Sequence, residues 1–398
     1  FDLWIGCSNL TTADTLGSVT YGSVTFDQAT YPTIGIGNQI WLASNLIENF
    51  GDPGIEYIGD NPNGSDDTLW ASKTTGAYTN YNASTEDLNC VYGYLYNWYA
   101  LANINNFLSL INSPYIVPSN SDFTTLSNYV TSIAPVGAAG GKLKSNTPSP
   151  FAEWNSPNAG ATNLTGFSAL PAGTRVATNG SYTNRGTSGN FWTTNTNPST
   201  GFGIFYSVIA SDSNAYTGFS SDKRQGFSVR LVIPPVLVTV TIVNSGGTGS
   251  VATTGAASSL TSSGTSSYTI LLRYDELVNF VVTPSGGSTV SFALTSGPGS
   301  ISGSGNNYSY SNLTEPIGVT VTFSAIPGCN PCTFSRLNTV DYTYGSVTVN
   351  SVCYPTLQIG SLEVTTYNLT IRDITTLFSG VTFIGPATPN PATVWTNA

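Results

Sequence analysis

The sequence predicts three consecutive pieces: an α+β module over residues 1–233, an all-β sandwich of immunoglobulin-like size over 234–326, and a β-rich partial repeat of the first module over 327–398. Three observations predict this order. Residues 21–46 (YGSVTFDQATYPTIGIGNQIWLASNL) recur as 344–369 (YGSVTVNSVCYPTLQIGSLEVTTYNL), identical at 12 of 26 positions without a gap, at an offset of 323. A period that long belongs to whole domains rather than to a solenoid. Two helix-patterned stretches stand inside a first module otherwise rich in loops and strand-like runs. Past Pro234-Pro235 the text changes to short β-rich runs alone.

The first module opens with strand-like runs at 18–26 and 33–36, separated by turn residues. A helix is expected over 96–110. A second begins at Pro118-Ser119-Asn120-Ser121-Asp122, where Ser119 and Asp122 have capping-box spacing. Phe123, Leu126, Tyr129 or Val130, and Ile133 then follow at helical period. After Ile133 the chain is rich in Gly, Asn and Thr up to Val232. Pro234-Pro235 marks a boundary. Runs at 236–243, 268–273, 278–283, 289–294 and 319–323, with Ser/Gly-rich turns at 245–249 and 297–305, suggest five to seven short strands and hence a sandwich. The third piece restarts the first module and ends before any counterpart of the two helices. Trp395 falls near the place of Trp70 after the offset. Together with Phe1 in place of an initiator Met, this reads as a window cut from an array of large modules.

Composition narrows the function classes. Only 8% of residues are charged, about a third of the usual share, while 40% are hydrophobic and 12% aromatic. That balance argues against disorder and for a surface of Ser, Thr, Asn and Gly, as in secreted fibres, adhesins and virion proteins. A net charge of −10 argues against nucleic acid, which needs clustered basic residues. No apolar run approaches the ~18 residues of a membrane span. The chain has no His, so Ser-His-Asp, Cys-His and His-ligated zinc chemistry are excluded. Of the five cysteines (Cys7, Cys90, Cys329, Cys332, Cys353), Cys329 and Cys332 have CxxC spacing without a second such pair. A local disulfide joining Cys329 or Cys332 to Cys353 is expected. The loop carrying Asp52, Asp60, Asn63, Asp66 and Asp67 offers oxygen ligands to a hard cation such as calcium. Its spacing is not that of an EF-hand, because Pro62 occupies the third ligand position, and a solvated loop is the other reading.

Seven ordered motifs in the first module share one resemblance. Pro32-Thr33-Ile34-Gly35-Ile36-Gly37-Asn38-Gln39-Ile40-Trp41 runs on to Asn45-Leu46, and Tyr92-Gly93-Tyr94-Leu95-Tyr96-Asn97-Trp98 follows. Val117-Pro118-Ser119 with Phe123 and Leu126, then Gly140-Gly141-Lys142-Leu143-Lys144, come next. Asn163-Leu164-Thr165-Gly166-Phe167-Ser168-Ala169-Leu170-Pro171-Ala172-Gly173-Thr174-Arg175, Phe191-Trp192-Thr193-Thr194 and Gly226-Phe227-Ser228-Val229-Arg230 complete the set. As a set they resemble the Fibrobacter succinogenes major paralogous domain family over residues 18–233. The resemblance implies the fold shared by C-type lectin-like domains and formylglycine-generating enzymes, and a place on surface proteins. Two departures stand out: Ser113-Pro114-Tyr115-Ile116 and Ser228-Val229-Arg230-Leu231 lack the cysteines that the family carries there. Cys90 is left without an obvious partner in the module, and a buried thiol is expected.

Trp41, Trp98, Phe167 and Trp192 are expected in the core. Gly166, Gly173 and Gly226 are expected at turns or close backbone approaches, and Arg175 and Arg230 as buried donors to carbonyls or carboxylates. In the fold that the resemblance implies, late loops form the exposed binding face. Residues 191–226 are therefore the candidate ligand segment, with Trp192 at its start and Asn195, Asn197, Tyr206, Asp212, Asn214, Tyr216, Asp222 and Lys223 within it. Amide, carboxylate and aromatic groups suit sugar hydroxyls and sugar faces, or a protein partner; an ordinary polar surface is the plain alternative. The leading expectation is a non-enzymatic extracellular structural or adhesive protein that self-associates into a filament or fibre on a cell or virion. A phage fibre or head-decoration protein is the second version. A glycoside hydrolase using Asp212 and Asp222 is the enzymatic alternative; formylglycine-generating chemistry would need a cysteine pair that is not found around Leu231.

Overall fold

The computed structural model describes residues 22–27, 29–59, 63–81, 91–135, 137–146, 154–261, 264–286 and 288–325, and the backbone of 344–349, 352–359 and 362–365. Among the described residues it is mostly β, built from several small sheets without a barrel. The chain forms two compact units: Phe1–Val236 with Leu271–Glu276 and Asn312–Glu315, and Leu237–Ile270 with Leu277–Ser311 and Pro316–Ala398.

In the first unit β1 (Gly22–Thr25), β2 (Thr30–Ile36) and β3 (Gln39–Leu42) form an antiparallel meander. Strand β4 (Ile55–Tyr57) leads to helix α1 (Ser65–Ser72), and β5 (Gly76–Thr79) and β6 (Leu95–Tyr96) join β4 in a second sheet. Helices α2 (Ala100–Leu110), α3 (Asn120–Ser132) and the short α4 (Ala139–Leu143) follow. The hairpin β7 (Thr174–Arg175) and β8 (Tyr182–Thr183) precedes β9 (Ser188–Thr196), β10 (Gly203–Ile209) and β11 (Ala215–Ser221), a sheet ordered β11-β10-β9. Strand β12 (Val232–Ile233) returns to pair with β3, Val232 opposite Trp41, so the module closes on its own beginning.

Two expectations for the helices resolve on physical grounds. The capping box at α3 forms: Ser119 Oγ accepts from Asp122 N–H at 3.3 Å, and Asp122 Oδ2 accepts from Ser119 N–H at 2.8 Å. Its buried stripe is Phe123, Leu126 and Val130, and Tyr129 faces out. The helix expected over 96–110 begins only at Ala100, because Leu95–Tyr96 pairs with β5 instead. Helix α1 was expected as loop. It buries only Trp70, so no apolar period announces it; Asp66 and Asp67 in its first turn complement the helix dipole.

The core has two main parts. Trp41, Phe123, Phe167, Phe191 and Tyr206 meet in one, with Tyr206 stacked on Phe123 at 4.4 Å between centroids. Tyr31, Tyr96, Ile104, Trp192 and Phe227 lie in the other. Gly166 and Gly173 adopt positive φ, and a Cβ on Gly226 would lie 2.8 Å from that of Arg175. Residues 226–232 thread both parts through backbone hydrogen bonds with Arg175, Tyr96, Asn190, Trp192, Leu46, Leu42 and Ile116.

In the second unit, β13 (Val236–Ser245), β16 (Ser266–Leu272), β18 (Ser288–Ser296) and β21 (Ile317–Ala325) form one sheet. The other contains β14 (Gly249–Thr253), β15 (Leu260–Thr261), β17 (Val278–Pro284), β19 (Ser302–Ser304) and β20 (Asn307–Tyr310). Phe292 of the first sheet meets Phe280 and Tyr308 of the second at 5.1 and 4.3 Å. These nine strands exceed the expected five to seven. The extra ones are short and rich in Ser, Gly and Thr, held by ladder pairing rather than by apolar alternation.

The repeat in sequence is a repeat in structure. Strands β22 (Tyr344–Val349), β23 (Val352–Ile359) and β24 (Leu362–Thr365) form a second meander. Its register copies the first: Gly22↔Thr33 corresponds to Gly345↔Thr356, and Ile34↔Trp41 to Leu357↔Val364. Trp395 lies outside the described residues.

Buried phenols make the first unit pH-sensitive. Burial pushes Tyr115 up to about 12 and raises Tyr31, Tyr96 and Tyr206 well above the ordinary value; the carboxylate of buried Glu48, 3.2 Å from the Tyr31 hydroxyl, adds to the rise at Tyr31. Above pH ~10 the unfolded chain gives up phenol protons that the folded chain retains, so folding binds protons there. Stability from these groups is full below pH ~10 and falls as pH rises from there towards their folded values. Absorbance at 295 nm should show delayed ionisation of these four tyrosines, coincident with unfolding by circular dichroism. Ionisation at pH ~10 with the fold intact would refute this.

Candidate functional site

The late sheet β11-β10-β9 is covered on one face and partly open on the other. Adjacent residues of a strand point to opposite faces. Tyr206 and Val208 of β10 and Phe191 of β9 therefore enter the core beside α3, while Phe205 and Trp192 share the other face. Phe205 pairs with Phe219 on β11, their rings 6.0 Å apart, and Phe219 stacks with Tyr216 at 5.5 Å. Phe219 is 50% exposed. At the Gly203 end, Trp98 packs so closely that a Cβ on Gly203 would lie 2.5 Å from its Cδ1. Trp98 donates from Nε1 to Thr193 O at 2.9 Å, and Lys223 Nζ sits 4.1 Å above its ring. Trp98, Phe205, Phe219 and Tyr216 thus form an aromatic strip over the buried Trp192, with Lys223 at one end and Asp212 at the other.

The residues selected from the sequence distribute unevenly over this geometry. Trp192 lies in the core, the first of its two expected places, and Tyr206, expected as a ligand group, is corrected to core. Trp192 is fully buried with its Nε1 donating to Tyr96 O at 2.8 Å; Tyr206 is fully buried with its hydroxyl 3.0 Å from Ser127 Oγ. Both faces of the sheet are covered at those positions. Asn195 Oδ1 accepts from Asn120 N–H at 2.7 Å and so satisfies an orphan donor of α3. Asn197 organises its own turn, accepting from Ser199 N–H at 2.9 Å. Asp212 accepts from Asn214 N–H at 2.9 Å and from the Tyr216 hydroxyl. Asp222 takes Arg224 Nε at 3.0 Å and Nη2 at 2.6 Å. Trp98, expected in the core, is only partly buried, and Phe205 and Phe219 were not expected here, although a Phe within the polar run Thr217-Gly218-Phe219-Ser220-Ser221 is a signal for an outward ring on a strand.

The two carboxylates considered for hydrolysis stand at opposite ends of β11, whose seven residues span about 23 Å. A glycosidase pair is about 5–9.5 Å apart, with one pKa raised. Here the Tyr216 hydroxyl holds Asp212 below the usual carboxylate range, and Arg224 does the same for Asp222.

The acidic loop also resolves differently. Asp60 lies outside the described residues, and Asn63 is exposed. Asp67 receives Arg175 Nη2 at 3.2 Å, and Asp66 sits beside it in the first turn of α1. Among the described residues no group of three His, Cys, Asp or Glu side chains could hold a metal, and no helix is long and apolar enough to cross a membrane. Cys7, Cys90, Cys329 and Cys332 lie outside the described residues, and of Cys353 only the backbone is described, in β23.

Residues 34–232, half of the chain, match the family model described as the Fibrobacter succinogenes major domain, and the chain belongs to that family. The match runs from β2 to β12, two strands of one sheet. No curated protein and no solved structure matches the chain.

Arg175 holds the loops behind this site. Fully buried, it donates from Nε to Gly180 O at 3.0 Å, from Nη1 to Ile58 O at 2.6 Å and Thr79 Oγ1 at 3.1 Å, and from Nη2 to Asp67. Its guanidinium also lies 4.6 Å from the Trp70 ring and 5.0 Å from that of Tyr182. Arg175→Ala is expected to cost about 3–5 kcal/mol, since it strands buried carbonyls and opens a cavity. Arg175→Lys should recover only part, because an ammonium lacks the fork. Urea denaturation measures both; a cost under ~1 kcal/mol for the alanine variant would contradict this account.

Proposed function

We propose that this member of the Fibrobacter succinogenes major domain family is a non-enzymatic structural and adhesive protein of an extracellular assembly, a surface filament or fibre. In this reading residues 34–232 are a C-type lectin-like module that presents its late sheet to a ligand. The second unit is an immunoglobulin-like spacer, a reading supported by the parallel pairing of its first and last long strands, β13 and β21. The meander at 344–365 begins a further module.

The observation that carries the proposal is the aromatic strip. Large apolar side chains gathered on an exposed face, rather than scattered singly, mark interaction surfaces. Aromatic rings offer large, rigid contact area at small entropic cost. A surface with few charges and many hydroxyls and amides favours neutral, hydrogen-bonded contacts over electrostatic steering.

A printed glycan array probed with the full chain tests this. Retention on at least one glycan class is expected, and Phe219→Ala should reduce affinity about tenfold, ~1.4 kcal/mol, with Tm unchanged because the ring is half in solvent. Absence of retention on every glycan would favour a scaffold without a saccharide ligand.

A further inference from the structure

We infer that the aromatic strip takes an anionic saccharide, with sugar faces on Phe219 and Phe205 and an acidic group at Lys223. The inference rests on the adhesive reading above and adds the charge and the direction of the ligand.

Lys223 carries the argument. Its ammonium has no carboxylate partner among the described residues. The adjacent Asp222 is occupied by Arg224, which donates from its backbone N–H, Nε and Nη2. Lys223 is nevertheless held in place, because its carbonyl accepts from Trp98 N–H at 2.8 Å while its ammonium rests on the Trp98 ring. Trp98 is itself fixed by Thr193 O and by the gap that Gly203 leaves. A half-buried, positioned cation is therefore unneutralised at the end of an exposed aromatic strip, in a chain of net charge −10. A ligand bearing a carboxylate or sulfate complements it, and its ring faces suit Phe205 and Phe219. At the other end Asp212 is ionised and bonded to Tyr216 and Asn214, which repels an acidic group and accepts a neutral sugar. The ligand therefore lies with its acidic residue at Lys223 and a neutral one towards Tyr216.

Calorimetric titration of the full chain with three oligosaccharides of equal length tests this: an oligogalacturonate, a sulfated oligosaccharide and an uncharged cello-oligosaccharide. At low salt at least one acidic probe should bind about tenfold tighter than the uncharged one, and whichever binds tighter identifies the acidic group. That advantage should vanish in high salt and in Lys223→Gln, and persist in Lys223→Arg, with Tm unchanged in both variants. Phe219→Ala should weaken acidic and uncharged probes alike. Equal affinity for acidic and uncharged probes, with Lys223→Gln like the wild type, would mean that the ammonium merely covers Trp98; it would overturn the anionic inference and leave the adhesive reading intact. Binding of none of the three would also overturn the inference, and the array would then decide the adhesive reading separately.

Discussion

Buried cations that donate to backbone carbonyls are the constraint on which the first unit depends. Its sheets have only two to four strands, so long loops cross the interior and carry carbonyls that no ladder satisfies. Lys142 donates to Val130 O and Ile133 O, closing the end of α3. Lys144 donates to Ile209 O and Asp212 O, tying α4 to the β10–β11 turn; burial pulls its pKa down to about 8 against the opposing pull of Asp212. Arg175 donates likewise to Ile58 O and Gly180 O, and Arg230 to Phe167 O and Ser168 O. A buried charge is tolerated only when it is hydrogen-bonded, and each of these four is. In a chain with 8% charged residues, these long side chains act chiefly as internal donors.

From that frame the remaining architecture follows. Residues 226–232 run through the centre of the unit, meeting strands and loops that are far apart in sequence. Arg230 on this thread reaches Asn45 Oδ1 at 2.6 Å and lies over the Phe167 and Phe191 rings. With β9 buried on both faces and β10 anchored through Tyr206, the edge strand β11 is left carrying rings that have no core to enter. The exposed strip results from a sheet that outreaches its core on one side.

Much of this was legible residue by residue. The capping box at Ser119 and Asp122 was readable because it is local, and Phe123, Leu126 and Val130 because helical period reports burial directly. Trp41, Phe167 and the buried Arg175 and Arg230 were readable because rare charges and large rings beside apolar motifs have few other places to go. Helix α1 was not legible: one buried Trp makes no period. The site was only half legible. Trp192, Asn195, Tyr206, Asp212 and Lys223 are near one another in sequence, but Tyr206 enters the core face beside α3, and Trp192, on the other face, is covered by Phe205 and Phe227. Asp212 and Asp222 went to opposite ends of β11.

The sequence by itself determined the family and the registered repeat of the first meander, because each is written in local motifs and in period. It also pointed to Arg175 and Arg230 as buried donors, but not to Lys142, Lys144 or Glu48, which the fold buries as well. Only the tertiary structure decided which aromatic rings stay outside. That depends on where β12 returns to β3, how the 226–232 thread fills the centre, and how far β11 extends beyond it. These are non-local pairings, and the chemical identity of Phe205 or Phe219 is the same whether the ring is covered or left in water.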